Sequence, residues 1–175
     1  DYERTRASAS PTGEQTVSTQ SSTPLPTLPP AQLAAAVEAS LPKARLENSQ
    51  LIVLTTMASW CTSCAKHQPL LKTMSKDFET SDVSFIGFAG DPADPADELQ
   101  GFVKRLNIDY PVITAPNAVI RLSVEAILNS GNGAEVLPST IVLNRRGQVL
   151  ATHSGIPTVS ELHRQLAIIR AEKTE

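Results

Sequence analysis

Cysteine is scarce in this chain. Its 175 residues hold two, Cys61 and Cys64, too few for a disulfide framework. Long hydrophobic runs are missing as well, since no apolar stretch approaches the ~18–20 residues that cross a bilayer. There is no basic run, and the formal net charge of −3 points away from nucleic acid and anionic membrane surfaces. No internal repeat is present. With 41% hydrophobic and 19% charged residues, the composition suits a globular domain, and the length leaves a tail to spare.

That tail is the first 30 residues. "ASASPTGEQTVSTQSSTPLPTLPP" is Ser, Thr and Pro with hardly a bulky apolar side chain. It buries too little surface to offset its ordering entropy. Residues 1–30 are therefore expected to form a disordered, flexible linker with an extended Pro-rich end, and 31–175 the folded domain. The chain opens at Asp1, so a signal or membrane anchor upstream of the tail would lie outside it.

The domain starts with a short Ala-rich helix after Pro30. "LIVLTTM" (51–57) and "VSFIGFA" (83–89) read as buried strands. Between them a helix is expected from Cys61, its stripe being His67, Leu70, Leu71, Met74 and Phe78, with Pro69 inside it. A second helix opens at "DPAD", with Asp94 as N-cap and Pro95 in the first helical position. Leu99, Phe102, Val103 and Leu106 form its apolar side. "YPVI" (110–113) is extended and "NAVIRLSVEAIL" (117–128) helical, ended by "GNG". "STIVLN" and "QVLATH" flank "RRG" as a hairpin. Thr158 and Glu161 make a capping box for a last helix with Val159, Leu162, Leu166 and Ile169 inward. The order implies an α/β fold: a central mixed sheet with parallel crossovers, an antiparallel hairpin and helices on both faces.

Three chemistries compete for "MASWCTSCAKHQPLL". A lone CxxC supplies half the ligands of a structural zinc site, and His67, His153 and His163 make neither a second pair nor an HxxxH. A permanent staple over so short a loop removes little unfolded-state entropy. The redox reading has a mechanism. Cys61 lies where strand gives way to helix, and free N–H groups and the helix dipole there favour a thiolate. Cys64, one turn on, is placed to attack a mixed disulfide. The hydroxyls of Thr62 and Ser63 are candidates to donate to sulfur and tune the potential.

"ASWCTSC", with Pro69 beyond it, resembles the thioredoxin active-site helix, and "LPST" (137–140) the loop whose cis-proline faces the CxxC. "TIVLNRRGQVLATHSG" resembles the closing hairpin, and "FIGFAGDPADPADELQGFVKRLNIDYPVI" the central segment of the TlpA/ResA-like thiol–disulfide oxidoreductases. The resemblance spans roughly residues 45–170. It implies a thioredoxin-like fold, Cys61 as exposed nucleophile, Cys64 as buried resolving thiol, and a cis Pro138. It also implies a substrate groove of Trp60, Thr62, Ser63, Leu137 and Pro138, although Trp60 fits core packing equally well. Two positions depart from the family. Thr55 stands where many thioredoxins carry a relay aspartate, and His67 where TlpA relatives often carry glutamate. His67 is a possible modulator of the thiols or a solvated helix-face residue. The stretch from Val119 to Val136 is also longer than the family leads one to expect.

The expected activity is thiol–disulfide exchange outside the cytoplasm, in a periplasmic or cell-envelope setting. The family style is reduction of protein disulfides in cytochrome c or copper-protein assembly. It needs no metal and no cofactor beyond the cysteine pair. The expected partners are protein thiols and disulfides and an upstream membrane electron donor, with the domain monomeric and tethered through its tail. A disulfide oxidase or isomerase is one alternative. A copper metallochaperone of the Sco type is another, with His153 as distal ligand although the cysteine spacing is one residue short. A peroxidase reading lacks the PxxxTxxC pattern and is set behind these.

Overall fold

In a computed structural model, residues 27–40, 49–78, 82–131 and 136–172 are described. Most of the expected linker, and Asn132 and Gly133 of "GNG", lie outside them.

β1 (Leu51–Met57) is buried along its whole length, and its neighbour β2 (Val83–Ala89) nearly so. Their β-branched and aliphatic residues suit a sheet covered on both sides. Alternation divides each strand between two cores. Leu51, Val53 and Met57 face one cluster, and Ile52 and Leu54 face the other. α2 (Thr62–Asp77) links β1 to β2, and α3 (Ala96–Arg105) links β2 to the short β3 (Val112–Ile113). α4 (Ala118–Ser130) leads to the hairpin of β4 (Ser139–Asn144) and β5 (Val149–Ser154), and α5 (Val159–Glu172) follows. The sheet order is β3-β2-β1-β4-β5, with β1, β2 and β3 parallel and β4 and β5 antiparallel.

Leu71, Met74, Phe78, Leu99, Phe102, Leu162 and Leu166 place α2, α3 and α5 on one face. Leu33 and Val37 of α1 (Pro30–Ala39) and Ile120, Val124 and Leu128 of α4 cover the other. The expected mixed sheet with helices on both faces is the observed one. α4 accounts for most of the extra length after Val119. Its β-branched residues are poor helix formers, but Asn117 caps it by accepting the Ile120 N–H. Each buried Ile, Val or Leu adds roughly 1.5–3 kcal/mol.

Two expected core positions are exposed. Leu70 is 49% exposed because the buried stripe of α2 runs through Cys64, Gln68, Leu71 and Met74, one position around the helix. Val159 is 37% exposed, since it precedes the first inward turn of α5, which starts at Leu162. Pro69 sits within α2 without ending it. Packing also begins ahead of the expected boundary. The Leu28 N–H donates to Ser123 Oγ at 2.7 Å, and its side chain packs on the α1/α4 core.

The capping box is present. Glu161 N–H donates to Thr158 Oγ1, and the Glu161 carboxylate accepts from Thr158 N and Oγ1. The backbone N–H of Thr158, then its hydroxyl, hold the Glu161 carboxyl below its ordinary value of 4.5. A carboxyl whose pKa is lowered on folding stabilises above its ordinary pKa, and that contribution fades as pH falls through the lowered value. Glu161→Gln should therefore lower the melting temperature at neutral pH, by a difference that shrinks as the pH is taken down below 4.5. Truncation tests the boundary. Removing residues 1–26 should leave the melting temperature unchanged. Removing 1–29 should lower stability by about 1–2 kcal/mol, or roughly 2–8 °C in melting temperature.

Candidate active site

The four residues Ala58 to Cys61 turn the chain from β1 into α2. Cys61 is the N-cap of α2, with φ −78° and ψ 100°, and its Sγ accepts the Cys64 N–H at 3.0 Å. That place is usually held by the oxygen of Ser, Thr, Asp or Asn. Sulfur there meets an otherwise unpaired N–H and the positive end of the helix dipole, and both stabilise a thiolate more than a thiol. The two Cα atoms are 5.2 Å apart and the sulfurs are bonded.

Cys64 is fully buried, and Cys61 is itself only 4% exposed. The open nucleophile implied by resemblance is thus not what the bonded form presents. The cause is the cap geometry, which folds the Cys61 sulfur back over the first turn of α2. Of the pair, Cys61 is the one that keeps an edge to solvent.

Trp60 is 63% exposed, which rules out core packing. Its indole N–H donates to Asp91 Oδ2 at 2.9 Å, while Asp91 Oδ1 accepts the Ala93 N–H at 2.8 Å. Asp94, in the same loop after β2, accepts from both Ser59 N, at 2.7 Å, and Ser59 Oγ. Asp94 is therefore not the cap of α3. Pro95 occupies that position without a side-chain bond, and Asp97 and Glu98 supply the negative charge of the first turn. A carboxylate with two donors left over at the end of β1 does more there than as one of three acids at a helix start. The loop "GDPADP" thus holds the approach to Cys61 on two carboxylates, a role that sequence patterning did not reveal.

The Leu137–Pro138 peptide is cis. Thr55 pairs with Thr140, so Pro138 comes alongside the end of β1. Thr56 Oγ1 accepts the Ser139 N–H at 2.9 Å and donates to the Ser139 carbonyl at 3.1 Å, and Gly155 N–H donates to the Pro138 carbonyl at 2.7 Å. Gly90 lets this loop approach, because a Cβ there would lie 2.6 Å from Leu137 Cδ2. Pro138 is buried, and Leu137 is half-buried with no partner for its backbone N–H or carbonyl among the described residues.

Thr55, in the relay position, is buried, with its Oγ1 3.1 Å from Thr140 Oγ1. Thr140 donates its own proton to the Gly155 carbonyl at 2.7 Å, so Thr55 is the donor of the pair. This chain ends on a carbonyl and has no ionisable group. His67 turns Nδ1 onto the Ser63 carbonyl of its own helix at 2.7 Å. Thr62 and Ser63 are exposed, and neither hydroxyl reaches a sulfur; the Cys64 N–H makes that contact instead. His153 lies on β5, and His163 packs its ring 4.7 Å from that of Phe78. Among the described residues no group of three His, Cys, Asp or Glu gathers to hold a metal.

A bonded CxxC at a strand-to-helix junction, in a sheet of this order, defines a thioredoxin-like thiol–disulfide oxidoreductase. The chain belongs to the Redoxin family, whose profile matches residues 27–166. It is 23% identical over 134 residues to the thiol-disulfide oxidoreductase ResA of Bacillus subtilis, covering 74% of this chain and 69% of that protein. Among solved structures it is similar to StoA of Bacillus subtilis, with a TM-score of 0.52 and 18% identity over 67% of this chain and 83% of the other. A secreted thiol-disulfide isomerase of Corynebacterium glutamicum has a TM-score of 0.54 and 23% identity, covering 69% and 71%. These structures share the fold.

Both carboxylates of the loop are testable. Asp94→Ala should lower stability by about 1.5–3 kcal/mol in urea unfolding, the range for hydrogen bonds to a charged group. Trp60 is the single tryptophan, so its fluorescence reports the other tether. Asp91→Ala should lower indole anisotropy with little change in melting temperature, and an unchanged anisotropy would remove Asp91 as the anchor.

Proposed function

We propose that this chain is an extracytoplasmic protein-disulfide reductase, with Cys61 as nucleophile and Cys64 as resolving thiol. The observation that carries the assignment is the Cys61 sulfur in the cap position of α2, accepting the Cys64 N–H. In the reduced protein the Cys61 thiolate attacks one sulfur of a substrate disulfide and expels the other as a thiolate. The Cys64 thiolate then attacks Cys61 Sγ. The Cys61–Cys64 bond re-forms, and the second substrate thiol leaves carrying the remaining electron pair. An upstream membrane dithiol would return the two electrons, and no cofactor is needed beyond the cysteine pair.

Leu137 supports the substrate side of this reading. Its backbone N–H and carbonyl, without a partner among the described residues, offer an incoming extended chain a strand edge, with Pro138 presenting no N–H of its own. Trp60, Thr62 and Ser63 are exposed around the opening of the cysteine pair and would complete the groove. His67, turned onto its own helix, is left a helix-face role. Extracytoplasmic placement is supported by the Corynebacterium relative, described as secreted, and by the family resemblance. The tail ahead of Leu28, shorter than the 1–30 expected from composition, would act as a tether.

Cys61→Ser should reduce insulin reduction to background, because the one cysteine left, Cys64, is fully buried. Cys64→Ser should accumulate mixed disulfides through Cys61, seen as thiol-sensitive adducts by mass spectrometry. Alkylation of the reduced protein near neutral pH should label Cys61 first. Faster labelling of Cys64 would reverse the two roles. A measured reduction potential near that of disulfide oxidases, about −120 mV, would turn the direction from reduction to oxidation.

A further inference from the structure

A groove of about 340 Å³ opens beside α2, on the side facing the end of α3. It begins at Ala65, the residue after Cys64, and runs past Gln68 and Pro69 to Lys72 and Lys76, with Leu106 on the far wall. Its walls combine apolar surface from Ala65, Pro69 and Leu106 with two ammonium groups, and no carboxylate lines it. Lys72 has no ion pair among the described residues. Lys76 has only an exposed one, 3.7 Å from Asp109, of the kind that contributes little.

The floor adds a second, independent feature. Gln68 is 2% exposed, and its Oε1 is taken by the Tyr110 hydroxyl at 2.6 Å. Burial, first of all, keeps Tyr110 protonated by raising its pKa far above the ordinary phenol range, so it stays a donor. The Gln68 side-chain nitrogen has no partner among the described residues. Among the described residues no fully buried side-chain polar atom lacks one, so this nitrogen reaches solvent, and the surface Gln68 lines is this groove. A buried amide held by one end and open at the other presents its N–H groups as fixed donors.

We propose that the groove docks an acidic segment of a protein partner, placed beside the redox pair. Carboxylates would sit over Lys72, Lys76 and the Gln68 amide, and an apolar side chain against Ala65, Pro69 and Leu106. Thr73 on the same wall gives its hydroxyl proton to the Pro69 carbonyl, and the remaining polar side chains of the lining are two ammonium groups and the Gln68 amide, so the charge of the walls matches an anionic chain. Because the groove starts next to Cys64, such a segment would lie within one chain's reach of the disulfide. The proposal builds on the exchange activity above by giving a partner its chemical class.

The test uses the full-length oxidised protein, isotope-labelled, and the peptide Glu-Leu-Glu-Glu-Leu-Glu. Its addition should shift the amides of Ala65, Gln68, Lys72 and Leu106. The affinity should fall at least about tenfold when salt rises from roughly 20 to 200 mM, as ion screening requires. Lys72→Glu with Lys76→Glu should abolish the shifts, Lys72→Gln with Lys76→Gln should weaken them, and Lys66→Glu, outside the groove, should preserve them. Equal binding of the lysine counterpart of the peptide, unchanged affinity in the double glutamate variant, or shifts confined elsewhere would overturn the proposal. Identical shifts from inorganic phosphate would do the same, by reducing the site to adventitious anion binding. Insulin reduction is measured in parallel. Activity without peptide binding removes the groove alone, and binding without activity removes the exchange reading alone.

Discussion

The structure depends on one contact, the N–H of Cys64 held by the sulfur of Cys61 at the start of α2. A helix leaves its first N–H groups without partners, and something must accept them. Here the acceptor is also one sulfur of the disulfide. The electrostatics that would stabilise a cap residue thus stabilise a thiolate. The same geometry brings the second cysteine into bonding range and buries it, so the two sulfurs differ in their access to solvent.

That contact is useful only if the strand before it and the loop beside it stay fixed. β1 is held on both sides, parallel to β2 and antiparallel to β4, and buried along its whole length. Its last residues are then pinned by side chains from elsewhere in the chain. Asp94 holds Ser59, Asp91 holds the Trp60 indole, and Thr56 holds Ser139 past the cis peptide. These are mostly charge-assisted or paired bonds, so each approach to the disulfide is fixed by more than packing. Below them, Thr55 and Thr140 bury a neutral hydroxyl chain at the position where the family resemblance led one to expect a relay aspartate. Proton movement at Cys64 has no carboxylate to lean on from that strand.

α2 does three things with its faces. Its N-terminus carries the cysteine pair, and Leu71 and Met74 anchor it to the sheet. The flank through Ala65, Pro69 and Lys72 stays open. Gln68 sits where anchor and flank meet. It is buried like a core residue, yet it is satisfied by Tyr110 at one end only. Such a residue would be a liability in a sealed core, and it is tolerated here because its other end reaches the groove.

By itself the sequence determined the elements and the chemistry. Compact, largely apolar runs made β1 and β2 legible, a capping box placed α5, and two cysteines three apart at a strand-to-helix change named the redox pair. These are local signals, carried by neighbours in the chain. Tertiary structure decided what each polar side chain does. Asp94 carries every mark of a helix cap, but an N–H and a hydroxyl from Ser59, 35 residues away, take it instead. Gln68 and Leu70 exchange the inside and outside that their polarity implies, because Tyr110 supplies a buried partner and the helix is rotated by one position. The near-closure of Cys61 likewise follows from where its own sulfur folds, over the first turn of α2. Hydrogen bonds between distant residues leave no period in the sequence, which is why periodicity located the site and only the fold assigned its parts.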